Sequence, residues 1–74
     1  MVYNLFMGSQ EQIGKNIKKA RKKSGLTQEE VANKVGVHVS YSSRIERGVV
    51  NPSIEVLENI ANALKVKSSD ILPF

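Results

Sequence analysis

The sequence predicts an all-α fold of five short helices in one domain, and three observations carry that prediction. Apolar residues recur three and four positions apart in successive segments, the spacing that gathers them on one face of a helix. Glycines at positions 25, 36 and 48 fall where those segments need a left-handed residue to stop. Strand-like alternation of apolar and polar residues is absent, as are internal repeats and low-complexity segments.

The 74 residues leave room for a single small core. The chain has no cysteine, which removes disulfides and cysteine-based zinc sites and suits an intracellular address. No apolar run approaches the roughly 18 residues of a membrane-spanning helix. The start, Met1 to Met7, is apolar but lacks the basic region and small-residue cleavage site of a secretion signal. Residues 1–12 are therefore expected to form an N-terminal arm or extension, and residues 13–74 the domain.

The first helix is expected at about residues 10–24. Ile13, Ile17 and Ala20 form its apolar stripe, Lys15, Lys18, Lys19, Lys22 and Lys23 surround it, and Gly25 ends it. Lysines near its C-terminus also suit the helix dipole. In the next segment Thr27 can cap the following amides and Glu30 can reach back, which makes a capping box and starts the second helix at Gln28. Val31, Ala32 and Val35 supply its buried stripe before Gly36 stops it. A helix of about two turns is not stable alone, so packing must hold it.

The third helix is expected from Val39 to Arg47, ending at Gly48. Val39, Ser40, Ser43, Arg44 and Arg47 share one face of it, while Tyr41 and Ile45 point elsewhere. After the loop Val49-Val50-Asn51-Pro52, Ser53 caps a fourth helix whose Ile54, Leu57, Ile60, Ala61 and Leu64 make the strongest apolar stripe in the chain. Ser68 to Leu72 suggest one short turn of a fifth helix before Pro73.

Charge is unevenly spread. Residues 13–48 hold nine Lys/Arg against three Glu, whereas residues 49–74 hold two Lys against three acidic residues. Such an asymmetry points to a polyanionic partner, nucleic acid ahead of a membrane surface. The Lys15 to Lys23 run reads either as a solvated face or as a steering surface. An enzyme is not expected: there is no nucleophile with a base, no paired acids in an evident pocket and no phosphate-cradling glycine loop. His38 is the only histidine, so no metal or other cofactor is expected.

Two short helices joined by a glycine turn suit a helix-turn-helix. Around them stand Ile13-Gly14-Lys15, Ile17, Arg21, Gly25-Leu26-Thr27-Gln28-Glu29-Glu30, Ala32, Gly36-Val37, Ser43-Arg44-Ile45-Glu46-Arg47-Gly48, Asn51-Pro52-Ser53 and the stripe from Leu57 to Leu64. In that order and spacing, from Ile13 to Leu72, the chain resembles the DNA-binding domain of phage lambda repressor-like regulators, the Xre type. The resemblance implies a five-helix lambda repressor-like domain whose second and third helices form the helix-turn-helix.

It further implies roles for individual residues. Val39, Ser40 and Arg44 take positions that face base edges in relatives; Gln28, Ser43, Arg47 and the Val49 to Asn51 loop lie near backbone phosphates. Arg21 and Glu46 match a pair that forms a buried ion pair in some phage repressors. His38 stands where relatives carry a capping Ser, Thr or Asp, which leaves a phosphate contact or an exposed cap. Chemistry adds its own support for Arg44, whose planar fork of donors fits the two major-groove acceptors of guanine. Ser40 can donate or accept and would specify weakly, and Val39 can pack on a thymine methyl.

The expected function is therefore sequence-specific binding of double-stranded DNA to regulate transcription, as a repressor or controller protein on a pseudo-palindromic operator, in a bacterial or phage-type cytoplasm and on the nucleoid when DNA-bound. The expected partners are double-stranded DNA and a second copy of the chain, joined through helices 4 and 5 or the N-terminal arm, with no membrane. A protein partner is the alternative if the chain is antitoxin-like, motivated by Val2, Tyr3, Leu5, Phe6 and Val56. One position departs from the family pattern: Ser42 stands where a branched apolar residue anchors the third helix on the core.

Overall fold

A computed structural model describes residues 8–73. Four α-helices follow one another: α1 (Gly8–Ser24), α2 (Gln28–Val35), α3 (Val39–Arg47) and α4 (Ile54–Leu64). A single 3₁₀ turn, Ser68–Asp70, comes after them. α1 begins ahead of residue 10, where the sequence places it, so residues 8–12 of the expected arm form its first turn. Residues 1–7, including Val2, Tyr3, Leu5 and Phe6, lie outside the described residues.

The caps set the helix boundaries. Thr27 Oγ1 accepts from the Glu30 amide at 3.1 Å and Glu30 Oε1 accepts from the Thr27 amide at 2.9 Å, so two orphan donors at the start of α2 are satisfied reciprocally. Gly36 ends α2 at φ 85°, a left-handed conformation that a side chain would oppose. Ser53 Oγ accepts from the Val56 amide at 3.2 Å and opens α4.

The core forms where the apolar stripes meet: α1 and α2 each pack on both α3 and α4. Ile13 and Ile17 of α1, Val31 of α2, Ile45 of α3 and Leu57, Ile60, Ala61 and Leu64 of α4 close around Ile71. Burying each large aliphatic side chain contributes about 1.5–3 kcal/mol of transfer free energy. Ile54 is an exception to the expected stripe. It occupies the first position of α4, turns outward and is 59% exposed.

The expected short turn is present, but as a 3₁₀ turn rather than a fifth α-helix, so the expected count of five helices is corrected to four among the described residues. Lys67 N donates to Asp70 Oδ2 at 3.0 Å and Leu72 N to Ser68 O at 2.9 Å, after which Pro73 disfavours a helical conformation at Leu72. A nucleus forms without length to propagate. The turn is nevertheless tied down, because Ile71 is fully buried and its carbonyl accepts from Asn16 Nδ2 of α1 at 2.8 Å.

Candidate nucleic-acid interface

Burial divides α3 lengthwise. Ser42, Ile45 and Glu46 are 4%, 1% and 6% exposed, while Ser40, Arg44 and Arg47 stand in solvent and Val39 and Ser43 are half-buried at the margin. The face expected from spacing is thus the outward one. Among the described residues no carboxylate pairs with Arg44 or Arg47. Both guanidiniums keep their donors for an outside partner.

What orients that face is largely polar. Arg21 grips the Glu46 carboxylate with two donors, Nε to Oε2 at 2.6 Å and Nη2 to Oε1 at 3.1 Å. A third Arg21 donor, Nη1, reaches the Leu26 carbonyl at 3.0 Å and holds the link between α1 and α2. Gln28 Nε2, from the first residue of α2, donates to Glu46 Oε1 at 3.0 Å. One buried carboxylate therefore ties α1, α2 and α3 together, and a two-pronged bond of this kind fixes orientation as well as distance.

Backbone contact adds a second constraint. A Cβ on Gly14 of α1 would lie 2.5 Å from the carbonyl oxygens of Ile45 and Glu46, and a Cβ on Gly48 would lie 2.7 Å from Glu11 Cα. α1 and α3 touch main chain to main chain at both points. In the sequence, Gly14 stands out only within the family resemblance. Its signal was available, since glycine inside a helix costs roughly 1 kcal/mol against alanine and so marks a close approach.

The remaining residues take up different places. His38 is exposed and caps α3, with Nδ1 accepting from the Ser40 amide at 3.2 Å. The same Nδ1 lies 2.8 Å from Ser40 Oγ. Asn51 is exposed in the loop after α3, beside Val49, which is 61% exposed. Tyr41 is half-buried against the core. Ser42 is enclosed, and among the described residues no hydrogen bond to its hydroxyl is found.

Among the described residues no group of three or more His, Asp or Glu side chains could hold a metal ion. No described helix is long and apolar enough to cross a membrane.

A helix-turn-helix family model matches residues 17–71, most of the chain and all of this interface. The HTH-type transcriptional regulator SinR of Bacillus subtilis is 44% identical over 61 residues, covering 81% of this chain and 55% of that protein. The chain thus spans about half the length of that relative. In structure, the restriction-modification controller protein C.AhdI of Aeromonas hydrophila superposes with a TM-score of 0.82 at 28% identity, covering 85% of this chain and 96% of the other. A chain of a SinR/SinI protein complex superposes with a TM-score of 0.77 at 44% identity, covering 82% of this chain and 60% of that one. The capped α2–glycine turn–α3 unit, its Arg21–Glu46 anchor and these likenesses lead to one conclusion: the chain belongs to the lambda repressor-like helix-turn-helix family.

Proposed function

We propose that this chain binds double-stranded DNA sequence-specifically and regulates transcription as a repressor or controller protein. The observation that supports this most is the lengthwise division of α3, whose outward side carries Ser40, Arg44 and Arg47 while its inward side is anchored through Glu46. With α3 in the major groove, Val39, Ser40 and Arg44 meet base edges, and Arg44 reads guanine with two donors. Gln28, His38, Ser43, Arg47 and Asn51 lie along the phosphates. Gln28 spends one amide hydrogen on Glu46 and keeps the other for a phosphate oxygen. Arg21 and Glu46 serve structure. The DNA-binding unit is the body from residue 13 onward, in a cell where the protein sits on the nucleoid.

Two copies place their α3 helices about one helical turn apart, roughly 34 Å, on a pseudo-palindromic operator. The exposed Ile54 and the half-buried Leu72, at the cleft between α4 and the last turn, support pairing through that end of the molecule. The same apolar end supports a second reading, a protein partner bound there. Its support is the solved complex of the SinR protein with the SinI protein.

Selection of bound duplexes from a random DNA pool, followed by mobility shifts over a range of salt, tests the main reading. A motif with two half-sites about one turn apart, and binding that weakens steeply with salt, is the expected result. Affinity that stays near a nonspecific level of about 10⁻⁴ to 10⁻⁶ M for every duplex overturns it. A co-purifying protein without any DNA shift favours the second reading.

A further inference from the structure

The contact between His38 and Ser40 bears on which kind of hydrogen bond Ser40 can offer. The Ser40 amide donates to His38 Nδ1 at 3.2 Å, and an amide has only a hydrogen to give. That bond uses the Nδ1 lone pair, which belongs to the neutral His38 tautomer with its ring hydrogen on Nε2. A nitrogen in that state cannot donate to Ser40 Oγ, which lies 2.8 Å from it. In that tautomer the hydrogen in the shorter contact belongs to the serine. A hydroxyl has one hydrogen and two acceptor lone pairs, so with the hydrogen held inward the exposed Ser40 presents lone pairs alone.

We propose, resting on the DNA-binding reading above, that His38 is a positioning residue for specificity: by holding the Ser40 hydrogen on Nδ1 it makes Ser40 an acceptor that selects base pairs with an amino group at its contact. In the major groove those groups are the N6 amine of adenine and the N4 amine of cytosine. The acceptors of guanine and the O4 of thymine would meet a lone pair and are disfavoured there. The weak, ambivalent specificity expected of an isolated serine is replaced by a directed one. His38 Nε2–H is left to donate to a phosphate or to water.

Two measurements test this. Ring ¹⁵N chemical shifts of neutral His38 in the free protein should report hydrogen on Nε2; hydrogen on Nδ1 overturns the proposal without any DNA. Relative affinities for the four base pairs at the Ser40 contact are then compared for the native chain, His38→Ala, Ser40→Ala and the double variant. The native chain should favour an amino-bearing partner, and His38→Ala should reduce that preference roughly three- to tenfold, the worth of one hydrogen bond. In the Ser40→Ala background His38→Ala should leave the preference unmoved. If His38 is only a helix cap, all duplexes weaken by one common factor and the preference survives, which overturns the proposal. A chain that selects no motif ends the DNA-binding reading as well, whereas a motif indifferent to His38→Ala ends this inference alone.

Discussion

α3 and α4 are similar helices held in opposite ways. Both begin with a side-chain cap and end on a left-handed residue, over nine and eleven residues. α4 buries Leu57, Ile60, Ala61 and Leu64, all apolar; α3 buries Ser42, Ile45 and Glu46, of which only Ile45 is apolar. Apolar burial is non-directional, so α4 can tolerate small rotations about its axis. α3 is instead clamped by a two-donor ion pair, by Gln28 and by main-chain contact with Gly14. The helix that presents a face to a partner is the one whose rotation is fixed by polar geometry.

The largest expected effect breaks that clamp. Glu46→Ala strands the Arg21 guanidinium and should lower the unfolding free energy by about 3–5 kcal/mol, comparable with the roughly 2–5 kcal/mol expected for Leu57→Ala or Ile60→Ala in α4. Urea unfolding of the three variants side by side checks this. A Glu46→Ala midpoint close to the native one would remove the polar anchor from the account of α3.

Gly14→Ala should follow, with a loss of about 1–3 kcal/mol as α1 and α3 are forced apart. It should also weaken DNA binding more than its stability loss explains, because α3 moves as a unit; a mobility shift at a temperature where the variant stays folded separates the two effects.

Ser42→Ala sharpens the contrast from the other side. It removes a buried hydroxyl for which no bond is seen among the described residues and should stabilise the fold by about 1 kcal/mol, read as a higher thermal midpoint. An unchanged or lower midpoint would mean that α3 gains from that hydroxyl.

The smallest effect concerns the cap of α2. The Thr27 amide, with its hydroxyl, holds the fully exposed Glu30 carboxyl below the usual carboxylate range. Because the folded-state pKa is depressed, the charged cap stabilises above the unfolded-state value of about 4.3 and is lost as pH falls through the folded-state value. Glu30→Gln keeps the cap but does not titrate. Its thermal midpoint should lie slightly below the native one at pH 7 and converge with it as pH falls through the folded-state value of Glu30.

Much of the fold was legible because its signals are local. The capping box at Thr27 and Glu30, the stops at Gly36 and Gly48 and the outward face of α3 depend on residues within one or two turns of each other. Arg21 and Glu46 were legible only through the resemblance, since nothing local links residues 25 positions apart. The short turn from Ser68 to Leu72 was legible, but counting it as a fifth helix was not warranted, because it lacks the length that propagation needs. Ile54 fits a helical stripe in one dimension, yet the first turn of α4 overhangs the core.

By itself, then, the sequence determined where helices begin and end, which residues of each share a face, and where positive charge concentrates, because caps, glycine stops and periodicity act over a few residues. Only the tertiary structure decided that Gln28 spends a donor on Glu46, that Gly14 admits the carbonyls of Ile45 and Glu46, and that the Ser40 hydroxyl lies against His38 Nδ1. The two polar contacts span 3.0 and 2.8 Å, and the approach at Gly14 leaves no room for a Cβ, all set by how the backbones finally pack. Hydrogen bonds and close contacts change steeply over a few tenths of an ångström, a precision that spacing along the chain does not carry.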